Sequence, residues 1–116
     1  MAEDEVLVKL RAICLALPET KETFTWEHPQ FRVGEKIFCS FSGDKKEQRS
    51  IGFKVGKEIQ GVFLEDPRFF KPAYVGQHGW VGLNCEAAPL NWEEVAELVK
   101  QSYRLIAPKR LAKLVT

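Results

Sequence analysis

The sequence predicts an α+β two-layer sandwich: one antiparallel sheet of about five or six strands, with N- and C-terminal helices packed on one face, in the order α-β(3-4)-α-β(2)-α. Three observations carry this. Apolar residues recur about every 3.6 residues at both ends of the chain and about every 2 residues in the middle. Turn residues cut that middle into short runs. The gaps between those runs are too short for helical crossovers, so neighbouring strands pair as a meander.

The elements follow in order. Val6, Leu10, Ile13 and Leu17, with Leu7 and Cys14 beside them, form one helical stripe. Glu3, Asp4 and Glu5 suit the positive end of that helix, and Pro18 stops it. From Thr23, Phe24 and Trp26 alternate with Thr25 and Glu27 until Pro29 breaks the strand. Phe31 and Val33 alternate with Arg32, and Gly34-Glu35 reads as a tight hairpin turn. Ile37, Cys39 and Phe41 are then expected on one face, with Lys36, Phe38 and Ser40 on the other. Residues 42–49 are a polar loop, and Ile51, Phe53 and Val55 form the next strand.

Beyond Gly56, residues 57–65 suit a short helix through Ile59, Val62 and Phe63, and Asp66-Pro67 marks a turn. Tyr74-Val75 and residues 81–85 are expected as two strands joined through Gly76-Gln77-His78-Gly79. The last long helix is the clearest element. Asn91 is a good N-cap, with Glu94 placed to complete a reciprocal cap. Trp92, Val95, Ala96, Val99, Tyr103 and Ile106 make its apolar stripe. Pro108 suits the first turn of a further short helix that turns Leu111, Leu114 and Val115 inward.

At 116 residues, with 45% hydrophobic and 28% charged content, the chain is expected to form a single domain over residues 1–116. No apolar run reaches the roughly 18 residues that a membrane helix requires. The start, MAEDE, is acidic where a secretory signal is basic, so cytoplasmic residence is expected. The three cysteines, Cys14, Cys39 and Cys85, are far apart in apolar surroundings, which fits buried reduced thiols and argues against zinc.

Two histidines, His28 and His78, are the only imidazole bases, and no serine lies in a GxSxG context. There is no phosphate loop, and the carboxylate pairs Glu65-Asp66 and Glu93-Glu94 have simpler uses in a turn and at a helix start. No enzyme activity and no cofactor are therefore expected. Charge is more informative. Net charge is +1, yet residues 32–57 hold seven cations against three acids, and residues 100–113 hold five cations and no acid.

The sheet face turned away from the helices is expected to carry Arg32, Lys36, Phe38, Lys54 and Trp80. With Lys45, Lys46 and Arg49 from the polar loop, this is the composition of a nucleic-acid surface, where aromatics stack on bases and cations meet phosphates. The plainer reading of the same residues is cross-strand aromatic pairing covered by long lysine stems. Two alternatives stay open: a protein-interaction or chaperone-like adaptor using the same face, and a small-molecule pocket lined by Trp80, Tyr74 and His78. The chain is expected to be a monomer or weak dimer.

Several stretches also carry a resemblance: Leu17-Pro18, the hairpin from Phe31-Arg32-Val33 to Lys36-Ile37-Phe38, Tyr74 with Trp80-Val81, and Ser102-Tyr103. From Leu17 to Leu114 the chain resembles the MmcQ/YjbR family of small bacterial proteins. The resemblance implies a fold similar to frataxin/CyaY or to secretion chaperones, in agreement with the element order. It also implies DNA binding through a "double-wing" motif, with no catalytic residues to carry over. The first helix lacks the long acidic ridge an iron carrier needs.

Overall fold

Asp4 begins the fold of the computed structural model, which describes residues 4–25, 28–43, 49–72 and 75–115. Its side chain accepts from the Val6 N–H at 2.9 Å and so caps α1 (Glu5–Leu15). That oxygen satisfies one of the N–H groups a helix start leaves without an internal partner. Leu10 and Cys14 are fully buried, with Val6, Leu7 and Ile13 packed beside them, so the expected stripe is the buried face. The helix stops at Leu15, a little before the proline.

Four strands follow as the expected meander: β1 (Thr20–Thr25), β2 (His28–Val33), β3 (Lys36–Ser42) and β4 (Ser50–Lys54). The chain continues through α2 (Lys57–Leu64), a two-residue strand β5 (Phe69–Phe70), a 3-10 turn (Val75–His78) and β6 (Trp80–Asn84). It then forms α3 (Trp92–Ile106) and α4 (Lys109–Ala112). The sheet order is β1-β2-β3-β4-β6-β5, and every neighbouring pair is antiparallel. This is the predicted α+β sandwich, with the sheet at six strands. Among the described residues no helix is long and apolar enough to cross a membrane.

The core lies between the sheet and the helices. Phe31, Val33, Phe41, Ile51, Phe53, Val81 and Leu83 are buried from the sheet side, and Val95, Leu98, Val99 and Tyr103 from α3. Asn91 caps α3 by accepting from the N–H groups of Glu93 and Glu94. Glu94 does not return the bond through its carboxylate. Arg68 takes that carboxylate instead, at 2.7 and 3.2 Å.

Three strand expectations need correction. Pro29 does not break a strand but lies within β2, buried, opposite Phe24. It is tolerated because pairing with β3 begins only at Gln30, so no ladder bond on that side needs its missing N–H. Among the described residues, no strand is found where one was expected at Tyr74-Val75. Val75 begins the 3-10 turn, Tyr74 lies outside the described residues, and β6 pairs instead with Phe69-Phe70.

The third correction concerns Phe38. In the pairing of β2 with β3, Phe31 faces Cys39 and Arg32 faces Ile37, so Phe38 is an extra residue in a bulge. The bulge breaks the alternation. Phe38 turns inward beside Cys39, fully buried, while the half-buried Ile37 stays level with Arg32. Phe38 meets Tyr103 edge to face, with ring centroids 5.4 Å apart at 88°. It belongs to the core and not to an exposed binding face.

The pairing of β3 with β4 stops at Cys39 and Phe53, and Ser102 of α3 takes over just beyond it. The Lys54 N–H donates to the Ser102 hydroxyl at 2.9 Å, and that hydroxyl donates to the Phe38 carbonyl at 2.5 Å. One buried side chain thus bridges the two strands where they cannot bond directly. Next to it, the fully buried Tyr103 sends its hydroxyl to the Pro18 carbonyl at 2.6 Å. Burial raises the pKa of that phenol, which keeps it a donor.

Gly79 joins the 3-10 turn to β6. Its carbonyl accepts from Val55 N–H at 2.9 Å and Gly56 N–H at 3.1 Å. Its φ of +86° is a left-handed conformation, and a Cβ there would lie 2.8 Å from the Gly56 carbonyl carbon and the Lys57 nitrogen. Both are backbone atoms that cannot swing away. Gly79→Ala is therefore expected to lower stability by about 2 kcal/mol, from left-handed strain and overpacking together. A urea titration measures it; a midpoint equal to wild type would show that this contact is slack.

Candidate ligand groove on the open sheet face

Helices cover one face of the sheet, so the residues alternating with the core set form the other. Strand register arranges them in rows across the sheet. One row runs Thr23, Gln30, Ser40, Gly52, Gly82, Phe70 through all six strands. Its central positions are small, so it is a furrow. On one bank Lys21 lies level with Arg32, Arg32 with Ile37, and Lys54 with Trp80. The other bank holds Ser42, Ser50 and Asn84, with the two serine oxygens 2.9 Å apart.

The glycines make room for the aromatic rings. Trp80 ring carbons lie 3.7 Å from where a Gly52 Cβ would be. The Phe70 ring lies over Gly82, so close that a Cβ there would meet its Cε1 at 2.7 Å. Between these rings and the serine bank is a hollow of about 260 Å³. Ser40, Ser42 and Ser50 line one side, Trp80, Phe70 and Pro72 the other, above Gly52 and Gly82. Trp80 is half-buried, and Phe70 is 42% exposed.

Electrostatically this face is one-sided. The described strand residues facing away from the helices include no carboxylate, because Glu22 points to the helix side, where it accepts from Arg11 at 2.6 and 3.0 Å. The Arg32 guanidinium is held by neutral oxygens, Thr23 Oγ1 at 3.1 Å and the Glu35 carbonyl at 2.7 Å, so its charge is not offset. Among the described residues, Lys21, Arg32 and Lys54 have no carboxylate partner.

The other expected site residues fall elsewhere. Arg49 bonds Glu86 at 2.7 and 3.0 Å and Asp4 at 2.9 Å, tying the α1 cap to the turn after β6. Arg49 holds the Glu86 carboxyl below its ordinary pKa, so the pair stays charged and mutually satisfied. Lys36 is exposed at the hairpin between β2 and β3. His78 is exposed in the 3-10 turn and does not line the hollow. Lys45, Lys46 and Tyr74 lie outside the described residues.

Nor do the described residues of the two basic segments meet across this face. α3 packs on the helix side of β3 and β4. Within residues 100–113, Arg110 pairs with Glu19 at 2.8 Å, Lys100 lies 3.5 Å from Glu97, and Arg104 donates to the Val115 carbonyl.

The sequence reading found Lys54 and Trp80 but missed Phe70 and Pro72. Adjacent phenylalanines at 69 and 70 signal a strand only once their pairing with β6 is known: Phe69 is buried and Phe70 lies on the open face. The thiols offer no rival chemistry. Cys14 and Cys39 are fully buried, with burial pushing the Cys14 thiol far up, and burial pushes Cys85 up to about 12.

Comparison with known proteins gives three findings. A family model described as YjbR matches residues 15–105. A Deinococcus radiodurans protein described with a DUF419 domain is 21% identical, with a TM-score of 0.75 over 94% of this chain and 86% of that one. A structural-genomics target from Pseudomonas syringae is 19% identical, with a TM-score of 0.67 over 89% of this chain and 98% of its own. No curated protein matches the chain.

Proposed function

The chain belongs to the YjbR family, and on that footing we propose that it is a non-enzymatic module that binds single-stranded nucleic acid on its open sheet face. The observation that carries this reading is the furrow over Gly52 and Gly82, walled by Trp80 and Phe70 and flanked by a carboxylate-free row holding Lys54, Arg32 and Lys21. A flat ring fits the hollow and stacks on an aromatic wall; the phosphates that follow it meet the cations. A duplex fits less well, because its bases are paired and the second basic segment lies behind the sheet.

Fluorescence anisotropy with short single-stranded DNA and RNA over a salt series tests the reading. Three cations give an expected log–log salt slope of about −2, from roughly 0.7 per phosphate. Trp80→Ala is expected to weaken binding about 10- to 100-fold, the loss of one stacked base, with circular dichroism checking that the variant is folded. Lys54→Ala should flatten the salt slope by about 0.7. Absence of salt-dependent binding at micromolar protein would end this reading. It would leave a protein partner, which Phe24, 62% exposed on the edge strand β1, favours.

A further inference from the structure

We infer that the groove takes the end of a single strand and not its interior; this rests on the single-strand reading above. The furrow is blind on one side. β5 is the last strand of the sheet, and its Phe70 ring fills the place above Gly82 that would otherwise continue the furrow. Pro72 stands beside that ring, and its carbonyl accepts from the Gly76 N–H at 3.0 Å, so the wall is tied to the 3-10 turn. The Lys71 stem packs tightly against Gly76 behind it, where a Cβ would meet the Lys71 Cγ at 2.5 Å.

The opposite side is open. Ser40 and Gln30 continue the row toward β1 with polar side chains, and Arg32 and Lys21 accompany it. The hollow itself, about 260 Å³, is smaller than the roughly 300–1,000 Å³ of pockets that enclose whole drug-sized ligands. It holds one planar ring system. A strand passing through would have to bring its backbone up and out over the wall made by Phe70 and Pro72. A terminal nucleotide needs no exit: its base enters between Trp80 and Phe70, and the backbone leaves past Lys54 toward Arg32 and Lys21.

Isothermal titration of the full chain with a linear ten-nucleotide strand and with the same sequence closed into a circle tests this. The linear strand is expected to bind at least about tenfold tighter, the value of one stacked base. A nucleoside monophosphate, itself an end, is expected to displace it. Phe70→Ala removes the blocking ring and should bring the linear and circular affinities together, whatever it does to both. Equal affinities for wild type, or a preference that survives Phe70→Ala, overturn the inference while leaving the single-strand reading intact. Binding of neither strand overturns both.

Discussion

Tyr103→Ala is expected to lower the unfolding free energy by about 3–5 kcal/mol, the usual cost of removing a fully buried aromatic side chain. Three losses combine. The core loses the largest fully buried side chain among the described residues, Phe38 loses the ring it meets edge to face, and the Pro18 carbonyl loses its hydroxyl donor. Tyr103→Phe separates these effects. It keeps the ring and is expected to cost only about 1 kcal/mol, the net value of one hydrogen bond. Denaturant titration of the three proteins measures both steps. Since total stability for such a domain is about 5–15 kcal/mol, this is a large share of it, and the alanine variant should unfold at a clearly lower denaturant concentration than wild type. If the phenylalanine variant proved as unstable as the alanine variant, the hydroxyl bond and not the packing would hold the helix end.

Ser102→Ala is expected to cost about 2–4 kcal/mol, although it removes a single oxygen. The hydroxyl serves two backbone groups at once, Lys54 N–H and the Phe38 carbonyl, at a fully buried site. Each orphaned group costs about 1–3 kcal/mol. Ser102→Thr retains the oxygen and is expected to recover part of the loss, whereas an equal loss would place the effect in packing. Amide hydrogen exchange offers a local check, because the Lys54 amide should lose protection in the alanine variant more than its neighbours do. The same residue links stability to the groove: Lys54 stands level with Trp80, so a loosened β4 blurs the spacing between cation and ring.

These two side chains also show how far the sequence can be read. Tyr103 was legible as core, because its spacing from Val95 and Val99 follows the turns of a helix. The role of Ser102 was not, since nothing local says where two distant strands stop pairing. The bulge in β3 misplaced Phe38: alternation from Ile37 puts it outward, and only the extra residue opposite Phe31 turns it in. Lys54 and Trp80 were legible as outward-facing from alternation alone. Phe70 was not, because a two-residue strand has no period to detect and its position depends entirely on β6. Arg49 resembled a free cation in the sequence; Asp4 and Glu86, its partners, come from distant segments. What escaped was consistently tertiary: register, bulges and the partners of charges. The α1 and α3 stripes, the Asn91 cap and the burial of the three cysteines were local, and they held. Ile59 and Val62 of α2 and Leu114 after α4, by contrast, are exposed where helical spacing had turned them inward.

The attachment of α3 has a consequence for synthesis. Ser102 and Tyr103 fasten to Phe38 and Pro18, which precede them by 64 and 85 residues. All six strands are already translated by Asn84, yet the part of the apolar face that α3 covers, on β3 and β4, waits for about twenty more residues. At roughly 5–20 residues per second, that leaves the strands made and α3 missing for about one to four seconds in every round of translation. Aggregation and chaperone capture act in this interval. A nascent chain stalled just short of α3 is the species in which both should be greatest.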